Sequence, residues 1–392
     1  MTVPGTRTAD VNGHCDPRFA GVREVFGTSF TEDDEWGAAV CVHAAGRRVI
    51  DLWGGWRNRA RTLAWQRDTM VNAYSVGKGI VALLAVDSLG RGELSLDTAV
   101  ASLWPAFAAH GKDTITVRQL LCHQAGLPAI RPLLPAAAKY DWPRMCAVLA
   151  DEKPFWEPGT AHGYHANTWG FLVGEVLRRA TGMDIAQLLR RRLTGPLGLD
   201  YYWGVPAALH RRISAVMLTQ QFSLAEQRAQ IQAMNRRGED SPAMRSYFNP
   251  PGISGFGSVN TRAWRNAVIP STNGHGTARA VAGMYNALWD SNGPLHIDND
   301  LLAEATRIHS DGPDVVQQRP SRFGLGFQLP QPGRPIGPGP HAFGHFGYGG
   351  SLGFADPDIP LSFGYVTNRP GERFLSTRAL RVVDAVYEAL GK

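Results

Sequence analysis

Lysine is scarce in this 392-residue chain: Lys78, Lys112, Lys139, Lys153 and Lys392 are the whole complement. The formal balance is +6, but the positive residues are mostly scattered arginines. No run of them forms the basic stripe that a nucleic acid needs, so no nucleic-acid partner is expected. Cysteine is sparse as well. Cys15, Cys41, Cys122 and Cys146 stand far apart with no C-x-x-C pair, which reads as small buried thiols kept reduced and excludes a disulfide framework. No stretch approaches the ~18 apolar residues of a spanning helix. Residues 1–16 are polar and lack the apolar core of a secretory signal. A cytoplasmic protein without a membrane partner is the expectation. His162 and His165, or His341 and His345, have no H-E-x-x-H context, so neither a metal nor any other cofactor is expected.

What is present is apolar patterning along almost the whole length, with 44% hydrophobic residues, enough for a large core. Phe19, Val22, Val25 and Phe26 fall at helical spacing. Gly37 to Trp56 reads as two strands turning at Ala45-Gly46. An apolar stretch from Met70 to Tyr74 leads into a helix from Ser75 to Leu89, closed by Gly90 and Gly92. Helices are predicted at Thr116 to Cys122, Thr168 to Ala180 and Ser223 to Arg237, the last on the surface. Pro250 to Gly257 and Ile269 to Gly276 read as loops, with Thr277 capping a helix from Ala278 to Leu288. Strands return at Phe323 to Leu329, Gly350 to Ala355 and Leu361 to Thr367. A final helix runs from Ser376 to Leu390, capped by Ser376 or Thr377, with Leu380, Val383, Val386 and Leu390 as its stripe. Strands at both ends with helices between predict one discontinuous α/β domain, residues 1–90 and 318–392, and a helical domain, residues 91–317.

Ser75-Val76-Gly77-Lys78 is an S-x-x-K motif. Residues three apart share a helix face, so Ser75 Oγ and Lys78 Nζ can meet. Serine needs a base to take its proton, and a solvated ammonium cannot serve. The continuation Ile80, Val81, Leu83, Leu84 and Val86 is apolar, and burial there lowers a lysine pKa. At the helix N-terminus the Ser75 N–H is placed to meet a developing oxyanion. Gly77 and Gly79 let substrate or backbone approach closely. The four letters alone fit equally an N-cap serine beside a lysine that snorkels to water.

These residues resemble the serine β-lactamase and penicillin-binding-protein superfamily, above all class C β-lactamases and family VIII carboxylesterases, from about Gly37 to the C-terminus. The markers come in order: Ser75-x-x-Lys78; Leu94-Ser95-Leu96-Asp97; Leu120-Leu121-Cys122-His123-Gln124-Ala125-Gly126-Leu127; Pro158-Gly159 followed by Tyr164; and His345-Phe346-Gly347, in the place of a K-T-G or H-T-G box. The resemblance implies an antiparallel sheet flanked by helices with an inserted helical domain. It also implies a proton-transfer role for Tyr164 and a second oxyanion donor at the Tyr348 N–H. His345 is expected to be an orienting hydrogen-bond partner, His123 a structural one. Gly347 and Phe346 belong to the substrate-binding strand.

Two departures bear on substrate. The family's Y-x-N asparagine is replaced by Ala166, leaving Asn167 one position further on as a candidate substrate contact. His345 and Phe346 replace the lysine and hydroxyl residue that hold an acidic drug, which favours neutral esters. Gly349-Gly350-Ser351-Leu352-Gly353 matches a nucleophile elbow, but no histidine follows Ser351, so the match is coincidental. A non-catalytic scaffold would tend to lose Ser75, Lys78 or Tyr164; all three stand. The reading is a serine carboxylesterase forming an acyl-enzyme on Ser75, with a small-molecule ester as its partner. β-Lactamase, D-amino-acid amidase, transesterase and peptide cyclase share that first step.

Overall fold

The computed structural model describes residues 10–218, 222–333, 335–371 and 377–392. Strand β1 (Asn12–Cys15) leads to helix α1 (Ala20–Glu32). Strands β2 (Gly37–Ala44) and β3 (Arg47–Gly55) form the expected hairpin, turning at Ala45 and Gly46, both with positive φ. Helix α2 (Val76–Gly90) follows. The middle of the chain carries α3 (Thr168–Thr181), α4 (Leu224–Arg236), α5 (Pro242–Phe248) and α6 (Ala278–Asn286) among shorter helices. A second hairpin, β4 (Ser310–Pro313) and β5 (Pro320–Phe323), precedes β6 (Phe343–Phe346), β7 (Leu352–Asp356) and β8 (Leu361–Thr367). Helix α7 (Thr377–Ala389) closes the chain.

The main sheet has six strands in the order β1–β3–β2–β8–β7–β6, every neighbouring pair antiparallel. Early and late strands meet at its centre, with Val40 of β2 opposite Tyr365 of β8. Alternation along each strand divides the side chains between two faces. One face carries Val40, Leu52, Phe346, Leu352, Phe354 and Tyr365, and packs with Phe26 of α1 and Val383 and Val386 of α7 into one core. The other face is held close to helices by glycines. A Cβ on Gly353 would stand 2.5 Å from Val281 Cγ1 and 3.2 Å from Val76 Cγ1, and one on Gly364 would stand 2.4 Å from the Ala278 carbonyl. Helices α2 and α6 therefore lie directly on the sheet. Helix α6 falls in the stretch that the sequence assigns to the helical domain, yet the sheet is its support.

Several elements differ from expectation. β1 was not anticipated, because Asn-Gly-His-Cys has no apolar alternation; it is an exposed edge held by backbone pairing to β3. The predicted strand Phe323 to Leu329 ends at Phe323, where Gly324 and the left-handed Gly326 (φ 83°) turn the chain. Only Gln328 of its remainder bridges to β6, at Gly344. The last helix begins at Thr377, and the alternative cap Ser376 lies outside the described residues. Helix α4 buries Gln227, Ile231 and Met234, so it is anchored as well as solvated.

Both ends of the chain converge on one buried ion pair. Glu35, between α1 and β2, lies 3.1 Å from Arg378 of α7. It also accepts hydrogen bonds from Tyr365 (2.9 Å) and Thr367 (2.7 Å) of β8. Burial pushes its carboxyl above the usual range, with Arg378 opposing that shift. Arg378→Met leaves the carboxylate buried without its cation, and a loss of about 3–5 kcal/mol is expected, read from urea denaturation.

Candidate active site

The chain enters α2 through a strained turn. Tyr74 has φ 50°, a left-handed conformation that costs a non-glycine residue on the order of 1 kcal/mol, and its ring is buried. The Ala73 N–H donates to the Gly274 carbonyl at 2.8 Å, fixing the approach. Ser75 is the residue before the first helical position, and its side chain makes no capping hydrogen bond. The hydroxyl is half-buried and turned toward two other side chains.

Those two are Lys78 and Tyr164. Lys78 Nζ donates to Ser75 Oγ at 3.0 Å and to the Ser271 carbonyl at 3.1 Å. The Tyr164 hydroxyl donates to Ser75 Oγ at 2.9 Å. Nζ also lies 4.7 Å from the centre of the Tyr164 ring. Lys78 is 0% exposed, and burial holds its pKa well below that of a free lysine. The alternative of a capping serine and a snorkelling lysine is thus overturned on both counts. Gly77 within the motif and Gly79 just after it make this burial possible. A Cβ on Gly77 would meet the Pro270 carbonyl at 2.5 Å, and one on Gly79 the Tyr285 hydroxyl at 2.1 Å.

Tyr164 stands in a box of rings. Phe323 of β5 is parallel to it at 6.0 Å, with His123 at 5.3 Å and His345 at 5.9 Å. His123 braces this segment, its Nδ1 accepting from the His165 N–H at 3.2 Å. His165 Nε2 accepts from the Leu127 N–H at 3.0 Å, while Nδ1 faces the Gly163 carbonyl at 2.6 Å, which sets the neutral Nδ1–H tautomer. Burial pushes His165 down to about 3 and His123 well below the usual histidine range. These imidazoles add no positive charge beside Lys78.

The end of β6 lies against the Ser75 turn. A Cβ on Gly347 would stand 2.3 Å from the Ala73 carbonyl, so a larger residue would push the strand off the turn. Gly347 N–H donates to the Ser351 carbonyl at 2.7 Å. Among the described residues, neither the Ser75 nor the Tyr348 N–H has a hydrogen-bond acceptor in the protein, which leaves both for an incoming oxygen. The Tyr348 ring packs edge-on against Tyr74 at 5.5 Å and Phe256 at 5.5 Å.

Two expected contacts are corrected. Phe346 does not face the cleft. It pairs across the sheet with Leu352 and is buried in the core beneath α1 and α7, because neighbouring strand residues point to opposite faces and His345 takes the side of α2. Phe346 therefore says nothing about anion binding. Asn167 is also engaged elsewhere. Its Nδ2 donates to the Ser246 carbonyl (2.7 Å) and Ser254 Oγ (2.8 Å), and its Oδ1 accepts from Thr272 (2.5 Å). Buried and bound three ways, it ties the Tyr164 segment to two loops rather than meeting substrate. His345 donates from Nδ1 to its neighbour's carbonyl, Phe346 O, at 2.7 Å.

Sequence reasoning missed Ser271 and the segment Ser246 to Ser258. Ser271 holds Lys78 through a backbone carbonyl, which carries no residue signature. The segment packs beside Tyr164 and Tyr348. Tyr247 packs with Tyr164, Ala166 and Phe323, Ser254 meets Asn167, and Phe256 reaches Tyr348 on the oxyanion side. Phe222 extends this aromatic row, 5.8 Å from Phe256 and 5.9 Å from Phe248. No charged residue or histidine occurs from Ser246 to Ser258. A run of uncharged residues beside two aromatic rings was the available signal.

Among the described residues, no helix is long and apolar enough to cross a membrane. No cluster of three His, Cys, Asp or Glu side chains is arranged there to hold a metal.

Comparison with known proteins gives the same picture. The chain is 34% identical over 370 residues to the esterase/beta-lactamase LipL of Mycobacterium tuberculosis, covering 92% of this chain and 83% of that one. Its structure is similar to that of a penicillin-binding protein homologue from Caulobacter crescentus (TM-score 0.87, 36% identity, 97% of this chain and 100% of that one). It is equally similar to a family VIII carboxylesterase (TM-score 0.87, 35% identity, 97% and 100%). A model of the Beta-lactamase family matches residues 24–387, and the chain belongs to that family.

Proposed function

We propose that the protein is a serine carboxylesterase acting on neutral esters through an acyl-enzyme on Ser75. The observation that carries this is the placement of Ser75 Oγ between the buried Lys78 amine at 3.0 Å and the Tyr164 hydroxyl at 2.9 Å. A neutral lysine has a lone pair. It takes the Ser75 proton as Oγ attacks the ester carbonyl. The oxyanion of the tetrahedral intermediate meets the Ser75 and Tyr348 N–H groups. Tyr164 passes the proton to the departing alkoxide, which leaves as the alcohol. Water then attacks the acyl-enzyme by the reverse sequence, giving the acid and restoring the Ser75 hydroxyl.

The choice of ester rests on the walls of the cleft. Ala166 stands where the family places an amide side chain, and it packs with Tyr247 and Tyr164. The uncharged segment from Ser246 to Ser258 offers aromatic surface and no partner for an acid. Relatives named as esterases support the same reading: LipL, the family VIII carboxylesterase, and esterase EstB of Burkholderia gladioli, 25% identical over 393 residues. One preparation assayed on p-nitrophenyl butyrate, a chromogenic cephalosporin and a D-amino-acid amide is expected to turn over the ester fastest. Faster turnover of the cephalosporin would reverse the assignment.

Ser75→Ala is expected to abolish ester turnover. Lys78→Ala should lower kcat by about 10³-fold and Tyr164→Phe by about 10²-fold, measured per site titrated with a fluorophosphonate. A Lys78→Ala enzyme of near-wild-type rate would end the mechanism. Phe256→Ala is expected to lower kcat/KM for p-nitrophenyl octanoate by about 10-fold while changing the acetate by less than about 2-fold.

The lysine also sets two pH dependences. The reaction needs the neutral amine, so kcat falls as pH drops through the lowered Lys78 pKa and is flat above it. Stability moves the same way. Between that pKa and the value of a free lysine, the unfolded chain binds a proton that the folded chain does not, so stability rises with pH. Relative to Lys78→Met, the wild type should therefore gain stability as pH rises from the lowered Lys78 pKa toward that of a free lysine, in urea denaturation. A constant difference across that range would mean that the lysine is charged when folded.

A further inference from the structure

A buried carboxylate far along the chain grips the backbone at Tyr164. Asp314, in the turn of the β4–β5 hairpin, accepts the Tyr164 N–H on both oxygens, at 3.1 and 3.0 Å. Its Oδ1 also accepts from the N–H groups of Val316 (2.8 Å) and Gln317 (2.7 Å). Those two bonds are what an aspartate does for its own turn. The other contacts reach outside the turn. Ser321 donates its hydroxyl to Oδ2 at 2.7 Å, and since that hydroxyl has one hydrogen, His162 Nε2, 3.0 Å away, is the donor to Ser321 Oγ. The Val315 N–H donates to the His162 carbonyl at 3.1 Å, so residues 162–164 run alongside 314–316. Asp314, Ser321 and His162 are all buried, at 3%, 1% and 6% exposure.

The same hairpin also supplies Phe323, parallel to the Tyr164 ring at 6.0 Å with 1° between planes. One element thus fixes Tyr164 twice, by its backbone and by its ring. Among the described residues no cation lies within ion-pair distance of Asp314; its charge is met by N–H and O–H dipoles alone, each with a set direction. An amide at this position keeps one acceptor oxygen and puts hydrogens where Oδ2 accepts from Tyr164 and Ser321, so one Tyr164 contact is lost and the Ser321 bond must reverse.

We propose that Asp314, backed by Ser321 and His162, is a positioning residue that holds the Tyr164 hydroxyl in reach of Ser75 Oγ. This rests on the reading of Tyr164 as the proton-transfer group, and the test separates the two. Four proteins are compared: wild type, Asp314→Asn, Tyr164→Phe and the double variant. Each is normalised by fluorophosphonate titration and assayed on p-nitrophenyl butyrate. Asp314→Asn is expected to lower kcat about 30-fold with KM changed less than about 3-fold, the size of effect that misplacing a reacting group by a fraction of an ångström produces. In the Tyr164→Phe background the same change should lower kcat by less than about 2-fold, because the group it positions is gone. Ser321→Ala, a milder variant, should show the same pattern at about 3-fold. Equal losses in both backgrounds would overturn the proposal while leaving Tyr164 catalytic. A fast Tyr164→Phe enzyme would instead remove the reading beneath it. If Asp314→Asn does not fold, the Ser321→Ala pair decides by the same criterion.

Discussion

An amine is buried in this protein without a counter-charge. Lys78 has a serine hydroxyl and a backbone carbonyl as hydrogen-bond partners, and no carboxylate among the described residues lies within ion-pair distance of it. An ammonium in that setting would cost several kcal/mol, and burial accordingly lowers the lysine pKa well below its free value. Much of the surrounding structure follows from keeping that condition. Gly77 and Gly79 let a loop carbonyl and Tyr285 close over the helix. Gly353 and Gly364 let helices lie on the sheet without intervening side chains. His123 and His165 stay neutral beside it. A family built on this lysine must bury the nucleophile's helix on nearly every side.

The parts of the site legible in the sequence are those fixed by local geometry. Ser75 and Lys78 lie on one face of a short helical turn, and the apolar run after them foretold burial. The β2–β3 hairpin and the terminal helix followed from periodicity in the same way. Tyr164 was visible only through the resemblance, because the 89 positions separating it from Ser75 follow no local rule. Ser271 and Asp314 were not visible. The first acts through its backbone, and the second reads as an ordinary turn residue until the fold brings Tyr164 beside it. Phe346 was misplaced although the needed rule was at hand. Once His345 on the same strand is turned toward α2, its neighbour must face the opposite core.

Chemistry and selectivity occupy different kinds of structure. In the proposed mechanism the reacting groups sit on α2, on the segment held by the β4–β5 hairpin, and at the end of β6, all packed among glycines and rings. Beside them runs the segment Ser246 to Ser258, which leaves the end of α5 and is joined to the centre through Asn167 and Phe256.

The sheet order has a consequence for how the chain is made. Strand β2 pairs at once with β3 but finds its second partner only in β8, where Ala44 lies opposite Leu361, more than three hundred residues later. During synthesis the first hairpin and the nucleophile's helix emerge with one side of their support missing. They must wait for the last strands to leave the ribosome before the sheet can close. A chain released early carries Ser75 and Lys78 but lacks β6 to β8 and with them the sheet face on which α2 rests.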